Sequence, residues 1–228
     1  LTRSTLKRDQ VMKIGIVGGT GKEGAGLGAR WAQAGHAIVI GSRDATRAQA
    51  KAAELTAAVH GARITGTGNR DAATAADIVV LSVPADGLAA TVPDVKDACR
   101  GKVVVSTVVP LTFGGPRLCT PPPPGSAAEV VQELLGPEAR VVAAFHHIAA
   151  HELSATDHAI ECDLLLCGGD AEAKKQVTEL GSSMGLRVID VGPLTNAGSL
   201  EGITAVLATI NRRYKLKNSG IKITGLPA

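Results

Sequence analysis

Three glycines near the start of the chain have the spacing of a phosphate-binding turn. Gly19, Gly21 and Gly24 form G-x-G-x-x-G directly after the apolar residues 14–17 and at the start of a segment of helical composition. In that context the glycines allow a tight turn and the close approach of a pyrophosphate, and the helix N-terminus offers free N–H donors. The spacing predicts a dinucleotide site; the alternative is a Gly-rich loop with no ligand.

A second group of residues that suit phosphate chemistry ends the next apolar run. Ser42 and Arg43 stand where an NAD-specific domain would carry an acid for the ribose 2′-hydroxyl, and Arg47 follows one helical turn later. A planar, permanently charged guanidinium matches a phosphate, so these three residues predict a clamp for the 2′-phosphate of NADP. Asp44 comes too late for the ribose role. The alternative is that both arginines are solvated residues at a helix start.

The other strand ends carry mostly apolar residues. On such sheets ligands bind beyond the carboxyl ends of the strands, which here are followed by residues 83–85, 108–110 and 146–148. Hydride transfer between two ring cofactors needs mainly positioning and exclusion of water, with the reacting carbons about 3 to 3.5 Å apart. No G-x-S-x-G elbow and no paired catalytic carboxylates are found, which argues against a hydrolase.

Histidines and cysteines raise the question of a metal site. His147, His151 and Glu152 have an order different from H-E-x-x-H, lack an obvious third ligand and lie where a strand-to-loop context argues against a helix. We therefore expect no metal there, and hydrogen bonding or structural roles for the histidines. The four cysteines have no C-x-x-C spacing and predict free thiols in a reducing compartment.

The elements that position these residues follow from alternating composition. Short β-branched runs alternate with Ala-rich segments of helical length, which is the pattern of βαβ units around a parallel sheet. The predicted strands are 14–17, 38–40, 78–82, 103–109 and 141–145, and the predicted helices are 24–34, 45–59 and 127–135. We expect an α/β fold, a Rossmann doubly wound parallel sheet. Four consecutive prolines, 121–124, predict an exposed loop after the fifth strand.

The pattern changes after about residue 150. A strand at 164–167, a helix at 171–184, a strand at 186–191 and a helix at 199–214 predict a small C-terminal α+β domain. The expected division is a Rossmann domain over 12–150 and a second domain over 151–228. Residues 1–11 precede the first strand and are interpreted as a leader, a tag or a flexible arm.

Composition excludes other classes of protein. The chain has 228 residues, 45% of them hydrophobic, and a formal net charge of only +3. With 2% aromatic residues and scattered basic residues, it lacks the features of a nucleic-acid-binding protein. No apolar run is long enough to span a membrane and no apolar signal segment is seen, so we expect a cytoplasmic protein.

Seven segments in consistent order resemble one known family. They are GGTGKEG, GSRDATRAQAKAAEL, VVVSTVVP, SAAEVVQELLG, AFHHI, CGGDAEAKK and VIDVGPLTNAGSLE, spread over about residues 13–226. In this order the chain resembles the NADPH-dependent reductases of coenzyme F420, also called F420H2:NADP oxidoreductases. The resemblance implies direct hydride transfer between NADP(H) and the deazaflavin F420, and a homo-oligomer, in the simplest case a homodimer.

The resemblance also implies site residues. Pyrophosphate contacts fall on Thr20, Gly21, Lys22 and Glu23, and 2′-phosphate contacts on Ser42, Arg43 and Arg47. The deazaflavin pocket falls on Val109, His146, Ile148 and residues 194–200, with Ile148 as the apolar residue that presses the rings together. Val83, Ala85 and Ala150 complete the predicted cofactor-binding set. The chain departs from the family where Ala85 stands in place of a possible aromatic residue, and at the proline loop.

Two other functions remain open at this point. An imine or pyrroline-carboxylate reductase uses the same cofactor class, but such enzymes usually add a larger helical dimerisation domain, and only about 78 residues follow position 150. A non-catalytic NADP sensor would bind NADPH and leave it unoxidised. Turnover with an acceptor distinguishes the sensor from an enzyme.

Overall fold

A single eight-stranded sheet organises the computed structural model, which describes residues 11–114 and 117–226. The strand order is β3-β2-β1-β4-β5-β6-β7-β8, and all neighbours are parallel except β6 and β7. The strands are β1 Lys13–Val17, β2 Ala37–Ser42, β3 Arg63–Gly68, β4 Ile78–Leu81, β5 Val103–Ser106, β6 Arg140–Ala144, β7 Asp163–Gly168 and β8 Arg187–Asp190. The helices are α1 Lys22–Gln33, α2 Ala45–Ala58, α3 Asn69–Ala75, α4 Leu88–Val95, α5 Ala127–Leu135, α6 Ala150–Ser154, α7 Ala171–Ser183 and α8 Ala197–Tyr214.

The predicted doubly wound α/β sheet is confirmed, with differences in detail. β5 ends at Ser106, three residues before the predicted end, because its partner β4 stops at Leu81 and the register pairs these two residues. β3, α3 and α4 were not predicted. β3 has the sequence RITGTG and pairs only with β2 at the sheet edge, so it lacks the apolar run typical of a central strand. α4 contains Pro93, a residue that usually argues against a helix.

Two apolar cores cover the two faces of the sheet. The first packs α1, α2, α6 and α7 against one face and contains Trp31 and Phe145, whose rings meet edge to face at 5.3 Å. The second packs α3, α4, α5 and the start of α8 against the other face. Because both faces are buried, the central strands need no alternation of polar and apolar residues.

The last two strands extend the same sheet. β7 runs antiparallel to β6 and β8 returns parallel to β7. The division of the chain at residue 150 stays a prediction.

The predicted leader falls almost wholly on residues 1–10, which lie outside the described residues. The prolines 121–124 form an irregular loop between β5 and α5, mostly exposed. No helix within 11–114 or 117–226 is long and apolar enough to cross a membrane.

One buried arginine joins the first helix to the segment that follows β6. Arg30 of α1 is 6% exposed, and its guanidinium donates to four backbone carbonyls of residues 152–158. The bonds to Glu152 O and His158 O are each 2.7 Å, that to Leu153 O is 3.3 Å, and the fourth acceptor is Ala155 O. A charged donor with this many carbonyl partners is satisfied without a carboxylate, and it fixes the end of α6 and the turn after it against α1.

Replacing Arg30 by leucine should destabilise the protein. The substitution leaves one buried and three part-buried carbonyl oxygens without their donor. Since an unsatisfied buried group costs about 1 to 3 kcal/mol, the free energy of unfolding should fall by roughly 3 kcal/mol. Urea denaturation measures it. The matched control is Arg212→Leu at the exposed end of α8, which should change stability by less than about 0.5 kcal/mol. Equal losses in the two variants would contradict the role of Arg30.

Candidate active site

Each glycine of the turn after β1 has its own structural reason. A Cβ on Gly19 would lie 2.9 Å from Ile16 O, and one on Gly24 would lie 2.9 Å from Gly19 Cα. These two glycines therefore allow the tight turn and the packing of α1 on the sheet. Gly21 is different, because its Cβ would meet only Gly18 O at 3.6 Å. The exposed space beside Gly21, at the N-terminus of α1, is open to a ligand.

The start of α1 has the features of an anion site. Gly21 is the N-cap residue and has no side chain to bond the first N–H groups of the helix. Such unpaired donors and the positive end of the helix dipole favour a phosphate. The predicted residues Gly19, Thr20, Gly21, Lys22, Glu23 and Gly24 all lie in this turn or in the first turn of α1.

The predicted 2′-phosphate residues lie together at the end of β2. Ser42 is its last residue and is buried, whereas Arg43 and Arg47 are exposed. Asp44 caps α2, since its Oδ1 accepts from Thr46 N at 2.9 Å and from Arg47 N at 3.4 Å. Because Asp44 caps the helix, the guanidinium groups of Arg43 and Arg47 are the charged groups available beside the end of β2. Neither arginine forms a salt bridge with a described residue.

The segments after β4 and β5 continue the same edge. Val83 and Ala85 follow β4, are half-buried and pack against the second core. Val109 follows β5 and is also half-buried. Leu194, at the start of the predicted 194–200 wall, packs against the second core as well, whereas Ile148 belongs to the first. The predicted pocket residues therefore come from both faces of the sheet.

The segment after β6 leaves the sheet through a turn with a rare backbone conformation. Phe145 has φ of 70°, in the left-handed region that a bulky residue seldom adopts. This turn buries both His146 and His147. The Nε2 atom of His147 lies 3.0 Å from Asp163 O and 3.3 Å from Leu165 N, so in either tautomer it has one hydrogen-bond partner on β7. Both ring nitrogens of His146 have no partner within the described chain.

A cleft of about 830 Å³ opens in front of His146. Its walls come from the first turn of α1, the segment from His146 to His151, the second half of α8 and the chain after it. Of the predicted residues it brings together Lys22, Glu23, His146, Ile148 and Ala150, and it is not lined by Val83, Ala85, Val109 or the clamp at Ser42.

Burial changes the protonation of two cleft residues. It lowers the pKa of His146 to about 3, with a smaller contribution from His147, so this imidazole is neutral at physiological pH. Burial also raises the pKa of Glu23 to about 8, against the lowering effect of a hydrogen bond with Thr107. The Oε1 atom of Glu23 is buried and has no partner within the described residues. An acid and a base of unusual pKa therefore line the same cleft.

Some supporting residues were missed by sequence reasoning. Asn69, the first residue of α3, accepts from Gly18 N at 3.1 Å and holds the phosphate-binding turn in place. Thr204 of α8 donates to His146 O at 3.1 Å, and Leu207 of α8 lines the cleft. Each lies more than fifty residues from its partner in sequence, and no local pattern marks the contact.

The expectation against a helix around His151 was wrong. α6 spans Ala150–Ser154, and its packing on α1 stabilises this single turn. Its His151 and Glu152 belong to no group of three or more potential metal ligands in the parts of the chain that the structure describes. Glu152 Oε2 instead bonds His158 Nε2 at 2.9 Å.

The fold and this edge of the sheet define a Rossmann-type, NADP-dependent oxidoreductase. A glycine turn at the first strand, a basic second strand end and a cleft with apolar walls at the carboxyl edge are the features of that class. The family comparison identifies the group within it. Residues 13–110 match the family described as coenzyme F420-dependent NADP oxidoreductase.

The chain belongs to the family of F420-dependent NADP reductases. It is 42% identical over 223 residues to the F420-dependent NADP reductase of Methanocaldococcus jannaschii. The alignment covers 94% of this chain and 99% of that protein. The predicted family resemblance is thereby confirmed.

Two solved structures are similar to this chain at different levels. A provisionally named F420-dependent NADP-reductase from Arthrobacter sp. FB24 has a TM-score of 0.81 and 27% identity, covering 94% of this chain and all of that chain. A pyrroline-5-carboxylate reductase from Coxiella burnetii has a TM-score of 0.60 at 19% identity, over 90% of this chain and 68% of that one. The second likeness shows a shared fold alone, so the imine-type alternative is not favoured.

Replacing Gly21 by valine should remove dinucleotide binding without unfolding the protein. The backbone at Gly21 is extended, with φ of −71°, and a Cβ there meets no close neighbour, so stability should change by no more than about 1 kcal/mol. The valine side chain would occupy the space that a pyrophosphate needs, and calorimetric titration with NADP should show no binding. Gly24→Val is the contrasting variant and should lower stability. Unchanged NADP affinity in folded Gly21→Val would place the pyrophosphate elsewhere.

Proposed function

We propose that this protein transfers a hydride directly between NADP(H) and the deazaflavin coenzyme F420. The observation that carries the proposal is the cleft between the first turn of α1 and the segment from His146 to His151, within a chain whose relatives are F420-dependent NADP reductases. When both coenzymes are bound, the nicotinamide ring and the deazaflavin ring supply the redox chemistry. The protein supplies alignment and excludes water.

The NADP side of the site is proposed to run along the carboxyl edge of β2, β1 and β4. Arg43 and Arg47 bind the 2′-phosphate, and the open helix start at Gly21 binds the pyrophosphate. Both groups fit what the structure offers, since the arginines are exposed and the space beside Gly21 is open. Val83 and Ala85 then form an apolar surface toward the nicotinamide.

The deazaflavin side is proposed to use the cleft. Ile148 is buried in the first core and lines the cleft, so its side chain is fixed by packing and can hold a ring in place. His146 supplies hydrogen bonds, because a neutral imidazole has one donor and one acceptor nitrogen and neither has a partner in the described chain. His146→Ala should therefore weaken F420 binding more than NADP binding.

We further propose a homo-oligomer in the cytoplasm. Val206 and Tyr214 are large apolar residues exposed on α8, and Leu216 is exposed just beyond it, which suits contact with a second copy. The cysteines are unpaired, and Cys99, Cys162 and Cys167 are buried, which suits a reducing compartment.

Replacing Arg43 by alanine should impair use of NADPH and leave use of NADH nearly unchanged. A charge-assisted hydrogen bond to a phosphate is worth roughly 1.5 to 3 kcal/mol, so kcat/KM with NADPH should fall by about ten- to a hundred-fold, mainly through KM. Steady-state kinetics with F420 and each nucleotide measures the effect. Arg100→Ala is the control, because Arg100 is exposed and precedes β5, at the amino-terminal end of that strand. An equal loss with both nucleotides would contradict the clamp.

Replacing Ile148 by alanine should slow hydride transfer and leave NADPH affinity largely intact. Removing the buried Ile148 side chain would loosen the spacing between the nicotinamide and deazaflavin rings. The rate of hydride transfer depends on their alignment and should therefore fall. Single-turnover kinetics measures the rate, and Leu180→Ala, in the same core but away from the cleft, controls for the stability loss of about 2 to 5 kcal/mol. With NADPH deuterated at C4, the label should reach C5 of F420. Loss of label to solvent would rule out direct transfer.

A further inference from the structure

Glu23 is an acidic side chain in a place where an anion must bind. It is the second residue of α1, in the turn where the proposed function puts the pyrophosphate, and it also lines the cleft with His146. An ionised carboxylate there would repel a phosphate bound in the same turn and would lose hydration on burial. A neutral carboxylic acid would do neither.

The hydrogen bonds around Glu23 favour the neutral acid. Its neighbour Thr107 donates to Leu81 O at 3.2 Å, and a hydroxyl has only one hydrogen to give. When Thr107 bonds both Leu81 O and the Glu23 carboxyl, the hydrogen between Glu23 and Thr107 must come from Glu23. The lowering effect of Thr107 on the Glu23 pKa applies only when the hydroxyl turns away from Leu81.

The second carboxyl oxygen of Glu23, Oε1, is available to a ligand. Oε1 of Glu23 is buried and has no partner within the described residues, so a neutral acid bonded to Thr107 presents one free acceptor. An acceptor beside the phosphate turn and the cleft suits a donor group of a dinucleotide, a ribose hydroxyl or a carboxamide N–H.

We propose that Glu23 binds NADP as a neutral acid, donating to Thr107 and accepting from the dinucleotide, so that NADP binding holds a proton on the enzyme. This inference rests on the proposed function, because it takes NADP as the ligand of the turn.

The affinity for NADP should depend on pH, because NADP binding is linked to protonation of Glu23. The pKa of Glu23 is about 8 in the free protein, and the negative charge of bound pyrophosphate raises it further. Affinity for NADP is therefore highest below pH 8 and falls as the pH rises above it, by up to about tenfold per pH unit.

Other titratable or charged groups also line the cleft. They are Lys22 on α1, His146 and His147 after β6, His151 on α6 and Lys217 after α8. Burial lowers the pKa of both His146 and His147, so neither gains or loses a proton in the alkaline range.

Calorimetric titration with NADP, without F420, tests the proposal. At about pH 8.5, in two buffers of different ionisation enthalpy, the wild-type protein should take up a fraction of a proton on binding. Glu23→Gln, which keeps the shape of the neutral acid, should show no uptake and a dissociation constant that does not change above pH 8. Glu133→Gln, the same change at an exposed position of α5, should keep the wild-type uptake.

Two outcomes overturn the inference: no proton uptake by the wild-type protein, or equal uptake by Glu23→Gln. If the glutamine variant does not fold, Glu23→Met, of similar size and without an acid, serves in the same comparison. Hydride transfer to F420 without proton uptake would refute this inference and leave the proposed function intact. Proton uptake without any transfer to F420 would refute the proposed function alone.

Discussion

The buried guanidinium of Arg30 joins α1 to the chain that follows the cleft wall at His146 to His151. Arg30 lies on α1, the helix whose first turn is the predicted pyrophosphate site, and it binds backbone carbonyls between Glu152 and His158. Only the residues of this stretch up to Ser154 belong to a helix, the short α6, so α1 supplies donors that the rest of the stretch lacks. A shift of α1 would therefore move the turn and the cleft together, and their separation would be kept.

Local sequence signals were sufficient to predict the turn after β1 and the basic residues after β2. The glycine spacing, the run before it and the basic residues after β2 act over a few residues, and each is explained by backbone geometry or charge that neighbours in sequence determine. The five central strands were predictable because each contains a buried apolar run, which suits a sheet that is covered on both faces.

The rest of the site depends on contacts that no local pattern contains. α6 is only five residues long, and the packing of α1 stabilises it. β3 contains Gly66 because a side chain there would overlap the backbone of Ala48 in α2, so a glycine that reads as a turn signal belongs to a strand. The wall that α8 gives the cleft is bonded to the opposite wall through Thr204 and His146 O, two residues that only the chain topology brings together.

The antiparallel entry of β7 has a consequence for the order in which the site is completed during synthesis. Because β7 reverses direction beside β6, the chain passes through α7 and β8 before α8 returns to the cleft, and residues 204–219 are the last to line it. During synthesis the N-terminal part of a chain leaves the ribosome first. A nascent chain that has reached β6 would thus contain the glycine turn after β1 and still lack the wall that α8 gives the cleft. The cleft is complete only once the last helix and the chain after it have been made.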